Sequence, residues 1–213
     1  MDKNMDKSHK RSISDYLYDL GSDAPIPGGG SAAGLQLAMG CSLALKCLSL
    51  TVGKPKFAQY DNELRDAIEE LSDIRELGYS IMDEDQEAYS KLTRAYALPQ
   101  DADFEKELRK KEIDKALSEA AIPPSKLMEF AIIALRILEE LEGKTNPMLK
   151  SDLLMGVDCI YLALRSGYQN MIINGQYIKD ESLSKDILKH AAKYLRTGAE
   201  IFSIWKEDCK LER

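Results

Sequence analysis

Hydrophobic side chains recur along this chain at helical spacing. In each long segment the apolar positions repeat with a period near 3.6 residues, and no run alternates β-branched with polar residues as a strand would. The pattern predicts an all-α fold, a compact bundle of about six to seven helices. The predicted helical segments are residues 13–20, 31–52, 60–96, 104–120, 124–141, 151–174 and 184–209.

The segment 32–52 is almost continuously apolar and about as long as a membrane span. It contains Lys46, which would lie deep in lipid at a cost of roughly 2.5–3.5 kcal/mol. We therefore interpret it as a buried central helix. Small residues at fourfold spacing predict close helix contacts, either in the core or across a subunit boundary. They are Gly30, Gly34, Ala38 and Ser42 in one segment and Gly156, Ala163 and Gly167 in another.

Composition favours one folded domain over residues 12–213, preceded by a flexible N-terminal tail at 1–11. Of the 213 residues 44% are hydrophobic, too many for a disordered chain. The net charge of −7 argues against a general nucleic-acid binder. The tail has no apolar stretch typical of a secretory signal, which predicts a cytoplasmic protein without a membrane role.

The count of reactive residues narrows the chemistry. Only two histidines occur, one of them in the tail, so histidine-based triads and metal sites are nearly excluded. The four cysteines form no CxxC pair and are expected to be reduced thiols. Catalysis would then depend on carboxylates, amides, backbone groups or lysines.

Asp85 interrupts the apolar stripe of the long helix 60–96. It lies four residues after Ile81 and four before Tyr89, where the helical pattern calls for an apolar side chain. Its neighbours, including Asp83 and Gln86, fall on the solvated side. Burial raises the pKa of a carboxyl group unless a cation offsets it, so Asp85 could exchange a proton near neutral pH. The alternative is a structural aspartate bonded to a backbone donor or an arginine.

Two further segments carry polar or backbone groups suited to a ligand. In 24–31 two prolines and three glycines lead into the buried helix, where free N–H groups suit an anion or a polar ligand and Ser31 is a candidate N-cap. A tight turn is the alternative. In the segment 144–152, Ser151 is expected to be an N-cap with Asp152 in the first turn. Asn170 and Asn174 could present a polar edge to a heterocycle, or cap a helix end.

Five stretches, taken in order, resemble the cyclodeaminase/cyclohydrolase family. They are PIPGGGSAAGL, LTVGKPKF, MDEDQEAYSKL, TNPMLKSDLLMGV and NMIIN, and the resemblance runs from about residue 13 to 180. The family includes the cyclodeaminase half of formiminotransferase-cyclodeaminase and stand-alone methenyltetrahydrofolate cyclohydrolases. The resemblance implies an all-helical, cytoplasmic homodimer that acts on tetrahydrofolate-bound one-carbon groups without a metal. The sequence has Pro-Ile-Pro where many members have Pro-Thr-Pro, and Pro55 follows Lys54, which bears on substrate preference.

The resemblance also implies roles for single residues. It assigns the catalytic acid/base to Asp85, with Asp83 as the second choice. It assigns the folate pocket to a larger set, which is Pro27, Gly28, Gly29, Gly30, Ser31, Lys54, Asn146, Ser151, Asp152, Asn170 and Asn174. The lysines at 54, 56, 144 and 150 are a candidate basic rim for the anionic folate tail, with ordinary surface lysines as the alternative.

The expected reaction is cyclisation of 5-formiminotetrahydrofolate to 5,10-methenyltetrahydrofolate with release of ammonia. Two alternatives stay open: hydrolysis of the methenyl compound to 10-formyltetrahydrofolate, and an inactive family member that serves as a helical binding protein. The TNxxxKSD spacing is closer to the cyclodeaminase members. The same carboxylate could shuttle a proton in cyclisation or activate water in hydrolysis.

Overall fold

The chain folds as an α-helical bundle. The structure, a computed structural model, describes residues 7–178 and 180–205. Within these ranges there is no strand, which confirms the all-α prediction, and the predicted end of the last helix at Cys209 lies outside them. The α-helices are α1 Ile13–Leu20, α2 Gly29–Ser49, α3 Asp61–Tyr96, α4 Asp103–Ala120, α5 Ile122–Glu140, α6 Lys150–Tyr177 and α7 Glu181–Trp205. Short 3-10 helices occur at Ser8–Lys10, Pro55–Tyr60 and Pro147–Leu149.

Helix α2 is the buried central helix that the sequence predicts. It packs against α3, α5 and α6, and its Leu37, Cys41 and Leu48 side chains are fully buried. By length and composition α2 could also cross a membrane, and 61% of its most apolar window is buried inside the bundle. Burial of this helix supplies much of the core, because apolar area removed from water is the main favourable contribution to folding.

Glycines allow α2 to approach both of its main neighbours closely. A Cβ added to Gly34 would lie 2.6 Å from the carbonyl oxygen of Gly78 on α3. One added to Gly40 would lie 2.8 Å from the carbonyl oxygen of Gly156 on α6. The small-residue faces therefore make contacts inside the core, one of the two possibilities that their spacing left open.

The start of each of two helices differs from the sequence prediction. Helix α2 begins at Gly29 with Gly28 as its N-cap, so the prediction that Ser31 caps it is wrong. Helix α6 begins at Lys150, so Ser151 is not an N-cap either. Helix α2 starts after Gly28, which has an extended backbone and no side-chain cap, because glycine is itself acceptable at the N-cap position.

The N-terminal residues that the structure describes pack on α3. The backbone N–H of Ser8 donates to Asp83 Oδ1 at 2.9 Å, and the His9 ring stacks on Tyr79 with centroids 5.0 Å apart. Residues 8–10 of the predicted tail are thus in a 3-10 helix, and residues 1–6 lie outside the described part.

Candidate active site

The carboxylate of Asp85 meets the first turn of α2. Its Oδ2 accepts the backbone N–H of Ser31 at 3.0 Å. This N–H is one of the groups at a helix start that have no partner inside the helix. A Cβ on Gly30 would lie only 1.9 Å from Asp85 Oδ1, so glycine is the residue that leaves room for the carboxylate here. The glycine-rich loop before α2 and Asp85, which interrupts the apolar stripe of α3, are therefore in direct contact.

Burial raises the pKa of Asp85 above its ordinary value. The loss of hydration disfavours the charged form, and the hydrogen bond from Ser31 N–H offsets only part of this effect. No ion pair to Asp85 occurs in the described part of the chain. A raised pKa makes the carboxyl group a better proton acceptor than an exposed aspartate, and this suits a general acid/base.

Asp85 faces a cavity of about 250 Å³ between the ends of four helices. The N-terminus of α2, the C-terminal third of α3, the end of α4 and the C-terminal third of α6 form its walls. It holds one ionisable carboxylate, two asparagine amides and several apolar surfaces. Its lining residues are Pro25, Ile26, Gly28, Gly29, Gly30, Asp85, Ala88, Tyr89, Leu92, Ala120, Asn170 and Asn174.

Both asparagines line the cavity, and one of them also caps a helix. The side-chain amide of Asn174 donates to the carbonyl oxygen of Ala120 at 2.8 Å, and so caps the end of α4 from α6. Asn170, one helical turn earlier, lines the cavity. Capping and ligand recognition, which the sequence left as alternatives, are therefore compatible in this pair.

A buried polar network supports Ser31 from behind. The hydroxyl groups of Tyr16 and Ser31 lie 3.1 Å apart, and Ser31 is fully buried rather than part of the cavity wall. The Gln86 amide donates to Ser8 Oγ at 2.6 Å and to Ser31 Oγ at 3.4 Å. Gln86, expected on the solvated face, is thus half-buried. The network links α1 and the N-terminal 3-10 helix to the turn that holds Asp85.

Other predicted site residues lie elsewhere. Asp83 accepts the Ser8 N–H, Pro27 is buried, and neither residue lines the cavity. Lys54, Asn146, Ser151 and Asp152 lie near the opposite end of α2. There Asn146 N–H donates to Thr51 Oγ1 at 3.1 Å, and Lys46 pairs with Asp152 at 2.6 Å. Within one chain these residues are not brought to Asp85, and neither is the predicted lysine rim.

A larger cavity of about 560 Å³ lies between α3 and α4, and it contains none of the predicted site residues. We assign the site to the smaller cavity, because that one contains Asp85, the half-buried carboxyl group with the raised pKa. In the described residues, no three histidine, cysteine, aspartate or glutamate side chains are grouped so that they could hold a metal ion. Cys41, Cys47 and Cys159 are free thiols, as expected, and the fourth cysteine, Cys209, lies outside the described residues.

Sequence reasoning missed several residues of the site. Tyr89 and Leu92 were expected only as part of the apolar stripe, yet they line the cavity one and two turns after Asp85. The i+4 and i+7 positions follow directly from the assignment of Asp85 and could have been inferred. Ile26 and Ala120 could not, because their placement depends on tertiary packing.

The fold and the site together define an all-helical protein with a small polar cavity built around one half-buried carboxylate. A family model for formiminotransferase-cyclodeaminase matches residues 12–193, and the chain therefore belongs to this family. The resemblance noted in the sequence is confirmed.

Similar proteins are named for one of two reactions. A methenyltetrahydrofolate cyclohydrolase of Methylorubrum extorquens is 31% identical over 178 residues, which is 84% of this chain and 86% of that protein. A formimidoyltransferase-cyclodeaminase of Dictyostelium discoideum is 31% identical over 92% of this chain, and the chain covers 37% of that protein. The chain thus spans about a third of the length of the bifunctional relatives that it matches.

A solved structure shares the fold. It is a formiminotetrahydrofolate cyclodeaminase of Thermotoga maritima, with a TM-score of 0.84 and 24% sequence identity. The match covers 93% of this chain and 96% of that one. At this level of identity the likeness establishes the bundle architecture.

Proposed function

We propose that this protein is a cytoplasmic folate enzyme that cyclises 5-formiminotetrahydrofolate to 5,10-methenyltetrahydrofolate and releases ammonia. The observation that carries the proposal is Asp85, a half-buried carboxyl group with a raised pKa that faces a cavity at the first turn of α2. Membership of the family, whose relatives are named for folate one-carbon reactions, supports the choice of substrate class.

In this reaction N10 of the folate attacks the formimino carbon. The N10–carbon bond forms, and the Asp85 carboxylate accepts the N10 proton. The resulting carboxylic acid then donates that proton to the departing nitrogen, the carbon–nitrogen bond breaks and ammonia leaves. One further proton, taken from solvent, balances the cationic methenyl product. A single carboxyl group with a raised pKa suits both steps.

Hydrolysis of 5,10-methenyltetrahydrofolate to 10-formyltetrahydrofolate is the second candidate. It is favoured by the Methylorubrum relative, which is named for this reaction and is matched over most of its length. Here Asp85 would accept a proton from the attacking water, and its negative charge would stabilise the cationic substrate. Neither reaction calls for a metal, and we propose that the enzyme works without one.

We further propose that the protein is a homodimer in the cytoplasm, without a membrane role. The support is an apolar surface formed by α2 and α6. Such a patch is more typical of a protein interface than of a monomer surface. An association of two copies would cover the exposed part of α2, the segment whose composition alone would permit a membrane span.

The test supplies purified protein with each substrate in turn and follows the methenyl absorbance. Cyclodeaminase activity produces the absorbance from 5-formiminotetrahydrofolate, and cyclohydrolase activity removes it from 5,10-methenyltetrahydrofolate. No rate above the spontaneous one with either substrate would refute the proposed enzyme. Bound folate without turnover would then identify the protein as an inactive member that serves as a binding protein.

A further inference from the structure

Ser31 is the first residue of α2 that has a side chain. The N-cap and the first two helical positions are all glycine, namely Gly28, Gly29 and Gly30. No side chain before Ser31 can therefore hold this turn, and the ends of helices are among the first parts of a fold to open. The Ser31 N–H nevertheless lies 3.0 Å from Asp85 Oδ2, the bond that places the carboxylate in its cavity. The Ser31 side chain is thus the first group of α2 that can fix this N–H.

The Ser31 hydroxyl is held from two helices. Ser31 is fully buried and does not line the Asp85 cavity. Its Oγ lies 3.1 Å from the hydroxyl of Tyr16 on α1, and it accepts a longer bond of 3.4 Å from the Gln86 amide on α3. Asp85 and Gln86 are consecutive residues, so α3 binds Ser31 at two atoms, the backbone N–H and the hydroxyl. A buried polar network of this kind makes the local structure rigid when its members are bonded.

Ser8 extends this network to the N-terminal 3-10 helix. The Gln86 amide donates to Ser8 Oγ at 2.6 Å and to the Met82 carbonyl oxygen at 3.0 Å. The Ser8 N–H donates to Asp83 Oδ1 at 2.9 Å, so the two residues of α3 that bind Ser8 flank Asp85 in the sequence. Loss of the Ser8 hydroxyl would remove the shortest of the bonds that orient the Gln86 amide.

We propose that Ser31 is a positioning residue for Asp85 and not a contact to the substrate, and that Gln86 and Ser8 hold it in place. The N-terminal 3-10 helix then belongs to the support of the active site. That the positioned carboxyl group transfers a proton to or from a folate rests on the proposed function. The position of the carboxyl group does not, and it can be measured without a substrate.

The kinetics of Ser31→Ala distinguish positioning from substrate contact. This variant removes the hydroxyl and keeps the backbone N–H. We expect kcat and kcat/KM to fall together by about 10–100-fold, with KM within about twofold of wild type, because a misplaced acid/base slows the reaction without weakening binding. An increase in KM at unchanged kcat would identify a substrate contact and overturn the proposal. Ser72→Ala is the control and should keep the wild-type rate, because the Ser72 hydroxyl bonds only to the Ile68 carbonyl oxygen of its own helix.

A graded series tests the residues behind Ser31. Gln86→Met removes the amide at similar length and should lower kcat about tenfold, and Ser8→Ala should lower it a few-fold. Ser8→Thr keeps the hydroxyl and should restore kcat, which a substrate contact cannot explain because Ser8 does not line the cavity. The double variant Ser31→Ala/Gln86→Met should be no slower than Ser31→Ala, since both residues act through one bond. Wild-type kcat in both Gln86→Met and Ser8→Ala would overturn their roles. The series also decides the question if Ser31→Ala does not fold.

The titration of Asp85, followed by NMR with ¹³C-labelled aspartate and assigned with Asp85→Asn, needs no substrate. Burial raises the pKa of Asp85, and the Ser31 N–H lowers it. Ser31→Ala and Gln86→Met should loosen this N–H and so raise the pKa further, and the acid limb of kcat/KM should move to higher pH. Two phenols lie near Asp85. Burial raises the pKa of Tyr16 above 10.0, and Tyr89 is the only other titratable side chain in the cavity lining. A phenol is neutral over the range in which an aspartate titrates.

The outcomes separate this inference from the proposed function. An Asp85 titration that is the same in wild type, Ser31→Ala and Gln86→Met would overturn the positioning role, whatever the rates. A wild-type protein that turns over neither folate substrate would refute the proposed function. If the Asp85 titration still moved to higher pH in the variants, the positioning of the carboxyl group by Ser31 would stand.

Discussion

Replacement of Gly30 by alanine should disable the enzyme with little harm to the fold. The added Cβ would lie 1.9 Å from Asp85 Oδ1, whereas ordinary contact begins near 3.4 Å, so the carboxylate must move by about 1.5 Å. That movement breaks the 3.0 Å bond from Ser31 N–H, because a hydrogen bond does not extend past about 3.5 Å. A displacement of about 1 Å at a reacting group can lower the rate about 10²-fold.

The effect on stability should be small by comparison. Overpacking costs about 1–3 kcal/mol, and alanine recovers about 1 kcal/mol of helix propensity relative to glycine. The net loss of about 0–2 kcal/mol corresponds to a decrease in Tm of at most several degrees in a chain of this size. The assay compares kcat of the variant with that of the wild type on the preferred folate, and a thermal melt confirms folding.

Gly21→Ala is the matched control, because Gly21 lies outside the cavity and an added Cβ there makes only ordinary contacts. It should keep the wild-type rate. A Gly30→Ala enzyme with the wild-type rate and a wild-type melt would refute the reasoning, since the carboxylate position would then be irrelevant to turnover.

Three further outcomes follow from the packing and the site. Gly34→Ala should lower the free energy of unfolding by about 1–3 kcal/mol in urea melts, because its Cβ would lie 2.6 Å from the Gly78 carbonyl oxygen. Asp85→Asn should stabilise the fold increasingly as the pH rises from 4 to 8. The folded-state pKa of Asp85 is raised, so the protonated carboxyl group stabilises the fold fully below the ordinary pKa of 3.8. This stabilisation is lost as the pH rises through the raised pKa, whereas the neutral asparagine does not titrate. Tyr16→Phe should cost about 1 kcal/mol by loss of the buried bond to Ser31, as measured by denaturation.

Matched variants check each of these. Gly29→Ala, with open space around the added Cβ, should leave stability within about 0.5 kcal/mol in the same urea melts. Tyr18→Phe, at an exposed tyrosine, should leave it unchanged. If the gain in the free energy of unfolding from Asp85→Asn became smaller as the pH rises, the partial burial of the carboxylate would be contradicted. Equal losses for Tyr16→Phe and Tyr18→Phe would contradict the buried network.

The helical pattern predicted those parts of the molecule that depend on one helix at a time. The period of the long stripe selected Asp85, and the long apolar segment indicated the central helix, since both features are set by which side of a helix is buried. The N-cap predictions at Ser31 and Ser151 were wrong because a helix start also depends on the backbone before it. In α2, Gly28 serves as the cap without a side chain.

The helical pattern could not predict contacts between residues that are far apart in the sequence. Gln86 was expected in solvent, and its contacts with Ser8 and Ser31 exist only because the N-terminal residues pack over α3. The pattern also could not predict that Lys54 and Asn146 lie far from the Asp85 cavity, because residues that belong to the motifs of one family need not line the same cavity within one chain. The length of α2 makes this separation plain.

The most direct test of the account compares Asp85→Asn with Asp83→Asn on both folate substrates. Asp83 lies on the same helix outside the cavity, and it accepts a hydrogen bond from the Ser8 N–H. We predict that Asp85→Asn lowers kcat about 10²–10⁴-fold, the usual contribution of a general acid/base, and that Asp83→Asn stays within a few-fold of wild type. Full activity in Asp85→Asn, or a greater loss in Asp83→Asn, would contradict the central claim that Asp85 transfers the proton.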